Sequence, residues 1–149
     1  MYPVILAVHN IVRWVVLILG VIALVRALMG WFGKRPWTDT DRRIGVFYTS
    51  AIDVQLLLGL LLYLFLSPIT KSVFQNIGEA MSNPGTRFFV LEHPLYMVLA
   101  VVFAHLGSVF SKRADETVAK HRNAAIWYGL ALIVILLGMP WIRPLLPGL

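Results

Sequence analysis

Four long apolar stretches separated by short polar connectors dominate the hydrophobic pattern of this chain. They run over about 4–30, 44–66, 88–110 and 123–142. Each reaches the roughly 20 residues that a helix needs to cross about 30 Å of hydrocarbon, where the backbone must satisfy its own hydrogen bonds. The pattern therefore predicts an all-α fold, an integral membrane four-helix bundle with up-down-up-down topology, formed by one domain over residues 1–149.

The connector between the second and third stretches carries its own structural signals. Ser67-Pro68 suits the end of a helix, and Asn83-Pro84-Gly85-Thr86 is typical of a turn. Between them, three apolar residues recur at four-residue spacing, namely Val73, Ile77 and Met81. This spacing predicts a short interfacial helix between helices 2 and 3.

Basic residues are concentrated in the first and third connectors and at the helix ends beside them. They are Arg26, Lys34, Arg35, Arg42 and Arg43 around the first, and Lys112, Arg113, Lys120 and Arg122 around the third. The middle connector holds only Lys71 and Arg87. Because cytoplasmic loops carry the excess of lysine and arginine, we expect a bacterial inner membrane protein with both termini on the periplasmic, outer side.

Composition supports a lipid environment and excludes several kinds of site. Hydrophobic residues make up 59% of the 149 residues and charged residues 13%, whereas a soluble domain carries about 25% charged residues. The net charge of +6 follows the membrane topology, so the expected partner is the lipid bilayer and not nucleic acid. The absence of cysteine excludes disulfides, thiolate metal sites, iron–sulfur ligation and covalent c-type haem attachment.

Few ionisable or amide side chains fall inside the predicted spans, where they are costly and usually face the bundle interior. They are His9, Asn10 and Arg13 in helix 1, Asp53 and Gln55 in helix 2, and Glu92, His93 and His105 in helix 3. The fourth predicted span, 123–142, contains no aspartate, glutamate, lysine, arginine or histidine. We therefore expect this helix to pack against the others or to face lipid.

Two of these histidines lie at matched depth. His9 and His93 each follow the outer end of their helix by about five residues, which places both imidazoles about 8 Å deep. Two imidazoles at one depth on different helices suit bis-histidine ligation of one haem b. The alternative is an Arg13–Glu92 ion pair with the two histidines hydrogen-bonded nearby.

Arginines near this depth are candidates for contact with haem propionates. Arg13 lies four residues after His9 and therefore on the same helical face. We expect it to pair with a propionate, and Arg87 at the mouth of helix 3 is the alternative. Pro94 either kinks helix 3 or occupies its first turn.

A second polar pair is expected between helices 2 and 3. Asp53 and Gln55 differ by two residues and point in nearly opposite directions. Depth places Asp53 within a turn or two of His105, and their contact would be a proton-carrying pair, part of a quinone pocket or an interhelical hydrogen bond. His105 has no histidine partner at its depth, since His121 is assigned to the inner connector. The sequence therefore predicts one haem and not two.

Several short motifs spread over most of the chain point to a known family. They are His9-Asn10-Ile11-Val12-Arg13-Trp14, Gly30-Trp31-Phe32-Gly33-Lys34-Arg35-Pro36, Asp41-Arg42-Arg43, Gln55-Leu56-Leu57-Leu58-Gly59-Leu60, Arg87-Phe88, Glu92-His93-Pro94 and Pro140-Trp141. With them the chain resembles the short four-helix bacterial membrane proteins commonly labelled "cytochrome b". The resemblance implies a b-type haem, with His9 and His93 where its ligands would stand.

Two functions fit these observations. The first is a membrane-bound, b-type cytochrome-like protein that transfers single electrons through one bis-histidine haem near the outer face, to or from quinone. It would be a carrier or a subunit of a membrane redox complex, more than a self-contained enzyme. The alternative is a haem-free accessory subunit that packs against a larger membrane complex through helix 4 or through Gly20, Gly59 and Gly107.

Overall fold

The computed structural model describes residues 1–73, 75–141 and 143, and within them it is helical with no strand. Four helices are long and apolar enough to cross a membrane. They are α1 (Tyr2–Gly33), α2 (Asp39–Leu66), α5 (Pro84–Arg113) and α6 (Thr117–Gly138). The predicted all-α membrane bundle is confirmed, and the chain is a multi-pass membrane protein.

The four spans close into a ring in which each helix packs on two others. α1 contacts α2 and α6, and α5 contacts the same two helices. Alanine supplies much of the core, because a small side chain lets two helices approach closely. The buried alanines at the helix contacts are Ala23, Ala27, Ala100, Ala104, Ala124, Ala125 and Ala131.

Glycines that were candidates for an external contact face lie inside the bundle. A Cβ atom on Gly20 would lie 2.8 Å from the Leu132 side chain, and one on Gly107 would lie 2.6 Å from the Tyr128 ring. Gly59 is half-buried, and a Cβ added to it would lie 3.3 Å from His9 Cε1. Gly20 and Gly107 are buried in contacts within one chain, so their proposed role in a contact face for a larger complex is wrong.

The first connector ends in a well-formed helix cap. The Thr38 hydroxyl accepts the Asp41 N–H, and the Asp41 carboxylate accepts the Thr38 N–H at 2.9 Å. The same carboxylate also receives the Arg26 guanidinium at 2.9 Å, and the Asp41 side chain is 7% exposed. The cap therefore ties the start of α2 to α1.

The fourth span differs from its predicted bounds of 123–142. The helix begins at Thr117, so its first turns consist of polar residues that precede the apolar stretch. It ends at Gly138, two residues before Pro140, which cannot continue a helix. His121 therefore lies inside α6 and is only 1% exposed. Its assignment to the inner connector is wrong.

The middle connector forms two short helices where one was predicted. They are α3 (Pro68–Val73) and α4 (Ile77–Ser82). The side chain of Asn76 accepts the Glu79 N–H at 3.2 Å and so starts a new helix. We call the end of the bundle with α3, α4 and the first residues of α1 the short-helix end, and the opposite end, with the first and third connectors, the basic end.

Two π-turns occur at the short-helix end. One closes α2 at Leu62–Leu66, and the other lies in α5 at Phe88–Glu92, directly before His93. The span continues through Pro94, and this proline lies in the first turn of its regular α-helical part, His93–Arg113, as one of the two expectations had it. The wider π-turn accommodates the proline ring and its missing N–H.

Candidate cofactor site

A cavity of about 520 Å³ lies at the short-helix end between the four spans. Its volume is in the range of about 300–1,000 Å³ that is usual for pockets of cofactors and other small molecules. Most of its lining is apolar. Its ionisable and amide side chains are His9, Asn10, Arg13, Gln55, His93 and Arg143.

The two histidines predicted at matched depth face each other in this cavity. The centroids of the His9 and His93 rings are 6.4 Å apart, and the rings are inclined by 69°. Two metal–nitrogen bonds of about 2 Å, each with about 1.2 Å from nitrogen to ring centre, span about 6.4 Å. The separation of the two ring centres is therefore wide enough for one metal ion between the two imidazoles.

The end of α6 orients His93. Its Nδ1 lies 2.7 Å from the carbonyl oxygen of Gly138, the last residue of α6. This carbonyl has no partner within its own helix, and it can only accept, so Nδ1 carries the proton. Nε2 is then the basic nitrogen of His93. Metal-bound histidines commonly make such a bond through their second nitrogen.

His9 presents the equivalent nitrogen from α1. Its Nε2 lies 3.3 Å from the side-chain amide of Gln55, and a metal bound at this nitrogen would replace that contact. His9 Nδ1 is buried and has no hydrogen-bond partner among the described residues. Gly59 lies across from the His9 ring. A Cβ atom added to this glycine would lie 3.3 Å from His9 Cε1, so the absence of a side chain leaves room for the ring.

Two arginines line the cavity with the histidines. Arg13 is 6% exposed, and the Arg143 guanidinium lies 4.2 Å from the centre of the Phe89 ring. Sequence reasoning missed Arg143, although it is the only basic residue after the fourth span.

Arg87, the alternative propionate partner, has a different neighbour. Its guanidinium is ion-paired with Glu92 at 2.8 Å, and its side chain does not line the cavity. Glu92 thus contacts Arg87, where the haem-free alternative placed it against Arg13. Of the two arginines predicted from the sequence, Arg13 is the one at the site.

The predicted contact of Asp53 with His105 is confirmed. His105 Nε2 lies 2.8 Å from Asp53 Oδ1, while Gln55 points the other way, toward His9. The two side chains are 45% and 48% exposed, and neither lines the cavity. This pair lies on the outer surface of α2 and α5, and its role in proton or quinone chemistry stays a prediction.

A third histidine is buried at the basic end. His121 packs against Trp37 with 4.9 Å between the ring centres and an inclination of 59°, and both of its ring nitrogens lack partners among the described residues. A Cβ on Gly30 would overlap its ring. The position is separate from the cavity that holds His9 and His93.

Within the described residues, no group of three or more histidine, cysteine, aspartate or glutamate side chains is arranged to hold a metal ion. A haem requires fewer protein ligands, because its macrocycle occupies four positions on the iron. Comparison of the chain with protein-family models, with curated proteins and with solved structures finds no match. The chemistry of the cavity rests on its own geometry.

Proposed function

We propose that this protein is a membrane-bound b-type cytochrome that carries single electrons through one haem b. His9 and His93 would hold the iron from opposite sides. The observation that carries the proposal is the 6.4 Å separation of their rings in a cavity of about 520 Å³. A bound haem supplies a one-electron ferric–ferrous couple.

The contacts of His93 give it a defined role. The hydrogen bond from Nδ1 to Gly138 fixes the ring orientation and makes Nε2 a stronger electron donor. A more basic ligand stabilises the ferric state and lowers the reduction potential. His9 has no such bond at Nδ1 from the described residues, so the two ligands would differ in basicity.

Arginines and apolar side chains complete the surroundings. Arg13 and Arg143 provide two cations for the two haem propionates, as charge-assisted hydrogen bonds favour. The apolar walls limit water at the iron and so limit the reorganisation that accompanies electron transfer. They include Leu6, Val16, Ile52, Leu62, Met97 and Ile135.

The site's position in the membrane follows from the charge at the two ends of the bundle. We propose that the basic end faces the cytoplasm of a bacterial cell, which places both termini and the haem near the periplasmic face. Quinone or other subunits of a membrane redox complex would exchange electrons there. Reporters fused after residue 149 test the orientation: alkaline phosphatase should be active and green fluorescent protein dark.

Absorption spectroscopy tests the haem directly. The full chain, produced in haem-replete cells and purified in detergent, should show a Soret band that narrows and shifts on reduction with dithionite. His9→Ala and His93→Ala should each lose at least nine-tenths of the haem per protein, while His105→Ala, which removes a histidine outside the cavity, should retain it. A colourless wild-type protein would contradict the proposal.

Imidazole in the buffer separates loss of a ligand from loss of the fold. A folded His9→Ala or His93→Ala chain keeps the cavity, so added imidazole and haemin should restore a bis-imidazole spectrum. Circular dichroism checks that each variant remains helical. If imidazole restores nothing in helical variants, the two histidines are not the ligands.

A further inference from the structure

The Asp53–His105 pair is a polar site on a membrane-facing surface. Asp53 lies midway along α2, and the two side chains are 45% and 48% exposed. Ionisable residues within a span are costly and nearly always face a bundle interior or a cavity. A pair of this kind is expected to be covered by another polar surface.

The residues around the pair follow the spacing of a helix–helix contact. Exposed positions, together with the half-exposed Asp53, recur at intervals of four and three residues along both helices, and they give a stripe on each. The stripes are Val46, Ser50, Asp53, Leu57 and Leu60 on α2, and Val98, Val102, His105 and Val109 on α5. This heptad spacing suits the left-handed crossing that is common between membrane helices.

We propose that these two stripes, here called the Asp53–His105 face, form the contact between two copies of this chain. A two-fold axis brings the same patch of each copy together, so the patch must complement itself. The pair meets that requirement, because its contact uses Asp53 Oδ1 and His105 Nε2 and leaves a carboxylate oxygen that accepts and a second ring nitrogen that donates when it carries a proton.

In the dimer, His105 of each copy donates to Asp53 of the other. The two contacts within the chains and the two between them close a ring of hydrogen bonds. A single polar site in an apolar contact also fixes register. The inference is independent of the haem, because neither residue lines the cavity.

Cross-linking tests the face, and the natural absence of cysteine provides the background. Leu57→Cys and Val102→Cys lie on the face, while Ile18→Cys and Ile133→Cys are matched controls that are 57% and 55% exposed on α1 and α6. In lipid vesicles treated with a short bismaleimide, the first two, alone or mixed, should give dimers and the controls monomers. Equal cross-linking at all four positions, or none at the face, would overturn the proposal.

Self-association of fluorescently labelled chains in vesicles tests the role of the polar pair. The double variant Asp53→Leu with His105→Leu should raise the dimer dissociation constant about tenfold, because two interchain hydrogen bonds are lost. Ile18→Leu should leave it unchanged, and circular dichroism should show the same helix content. An unchanged or lower constant in the double variant, or a wild-type chain that stays monomeric at every dilution, would assign the face to lipid or to another partner.

Discussion

The hydroxyl of Tyr63 donates a hydrogen bond to the backbone carbonyl of Val90 across 2.9 Å. In a regular α-helix the donor to this carbonyl would be the N–H of Pro94, which proline lacks. A side chain from α2 therefore supplies the hydrogen bond that the sequence of α5 cannot. Because both residues lie in π-turns, the bond joins the two irregular segments that position His93.

Tyr63→Phe should show how much this hydrogen bond contributes to the stability of the fold. The variant leaves the Val90 carbonyl without its donor, so we expect the free energy of unfolding in mixed micelles to fall by about 1–3 kcal/mol. Amide hydrogen exchange over 88–95 should become faster. The control is Tyr96→Phe, whose hydroxyl has no hydrogen bond to a described residue. Equal losses in both variants would show that the bond is not the cause.

Gly59→Ala should weaken haem binding while the fold is kept. The added Cβ would lie 3.3 Å from His9 Cε1, so the ring must shift by a few tenths of an ångström from its position beside the cavity. Overpacking of this kind costs about 1–3 kcal/mol, which lowers haem affinity about tenfold. Haem titration of the apoprotein measures it. Gly129→Ala, whose Cβ meets Leu24 at an ordinary 3.6 Å, should bind haem like the wild type.

Asp41→Ala should destabilise the protein more than Asp39→Ala. Asp41 combines a helix cap with a contact to Arg26 and is 7% exposed, whereas Asp39 is 55% exposed in its pairs with two arginines. We expect a loss of about 2 kcal/mol for Asp41→Ala and a smaller loss for Asp39→Ala. Equilibrium unfolding at low and high salt distinguishes them. An equal loss for the two variants would contradict the structural role of Asp41.

Substitution of His121 should be tolerated, whereas substitution of Gly30 should destabilise the protein. His121→Phe replaces a buried ring whose nitrogens have no partner among the described residues, so it should be neutral or stabilising within about 1 kcal/mol. Gly30→Ala places a methyl group against that ring and should cost about 1–3 kcal/mol. Thermal unfolding of both checks this. Adding His121→Ala to Gly30→Ala should recover part of the loss, since the two effects couple.

Apolar length and helical rise account for what the sequence predicts well. Lipid offers a backbone no alternative to helix, so four apolar stretches predict four spans. The fixed rise of about 1.5 Å per residue also brings His9 to His93 and Asp53 to His105 by depth alone. Both contacts are present.

Features that lack an apolar pattern cannot be predicted from the sequence in the same way. The first turns of α6 are helical although they are polar and lie outside the apolar stretch. His121 lies in these turns and is buried against Trp37. Arg143 follows the last span with no periodic pattern around it, and only the folded chain places it at the cavity. The two π-turns are joined by a hydrogen bond between distant residues, Tyr63 and Val90, which no local pattern announces.

The π-turn at Phe88–Glu92 also changes what a one-residue gap means in this helix. A π-turn holds one residue more than an α-turn within a single turn of the helix. A related chain lacking one amino acid here would close the segment as a regular α-turn. The residues on either side, Arg87 included, would then keep the sides of the helix on which they now stand. In this segment the helix absorbs the loss of one residue without a rotation of one part against the other.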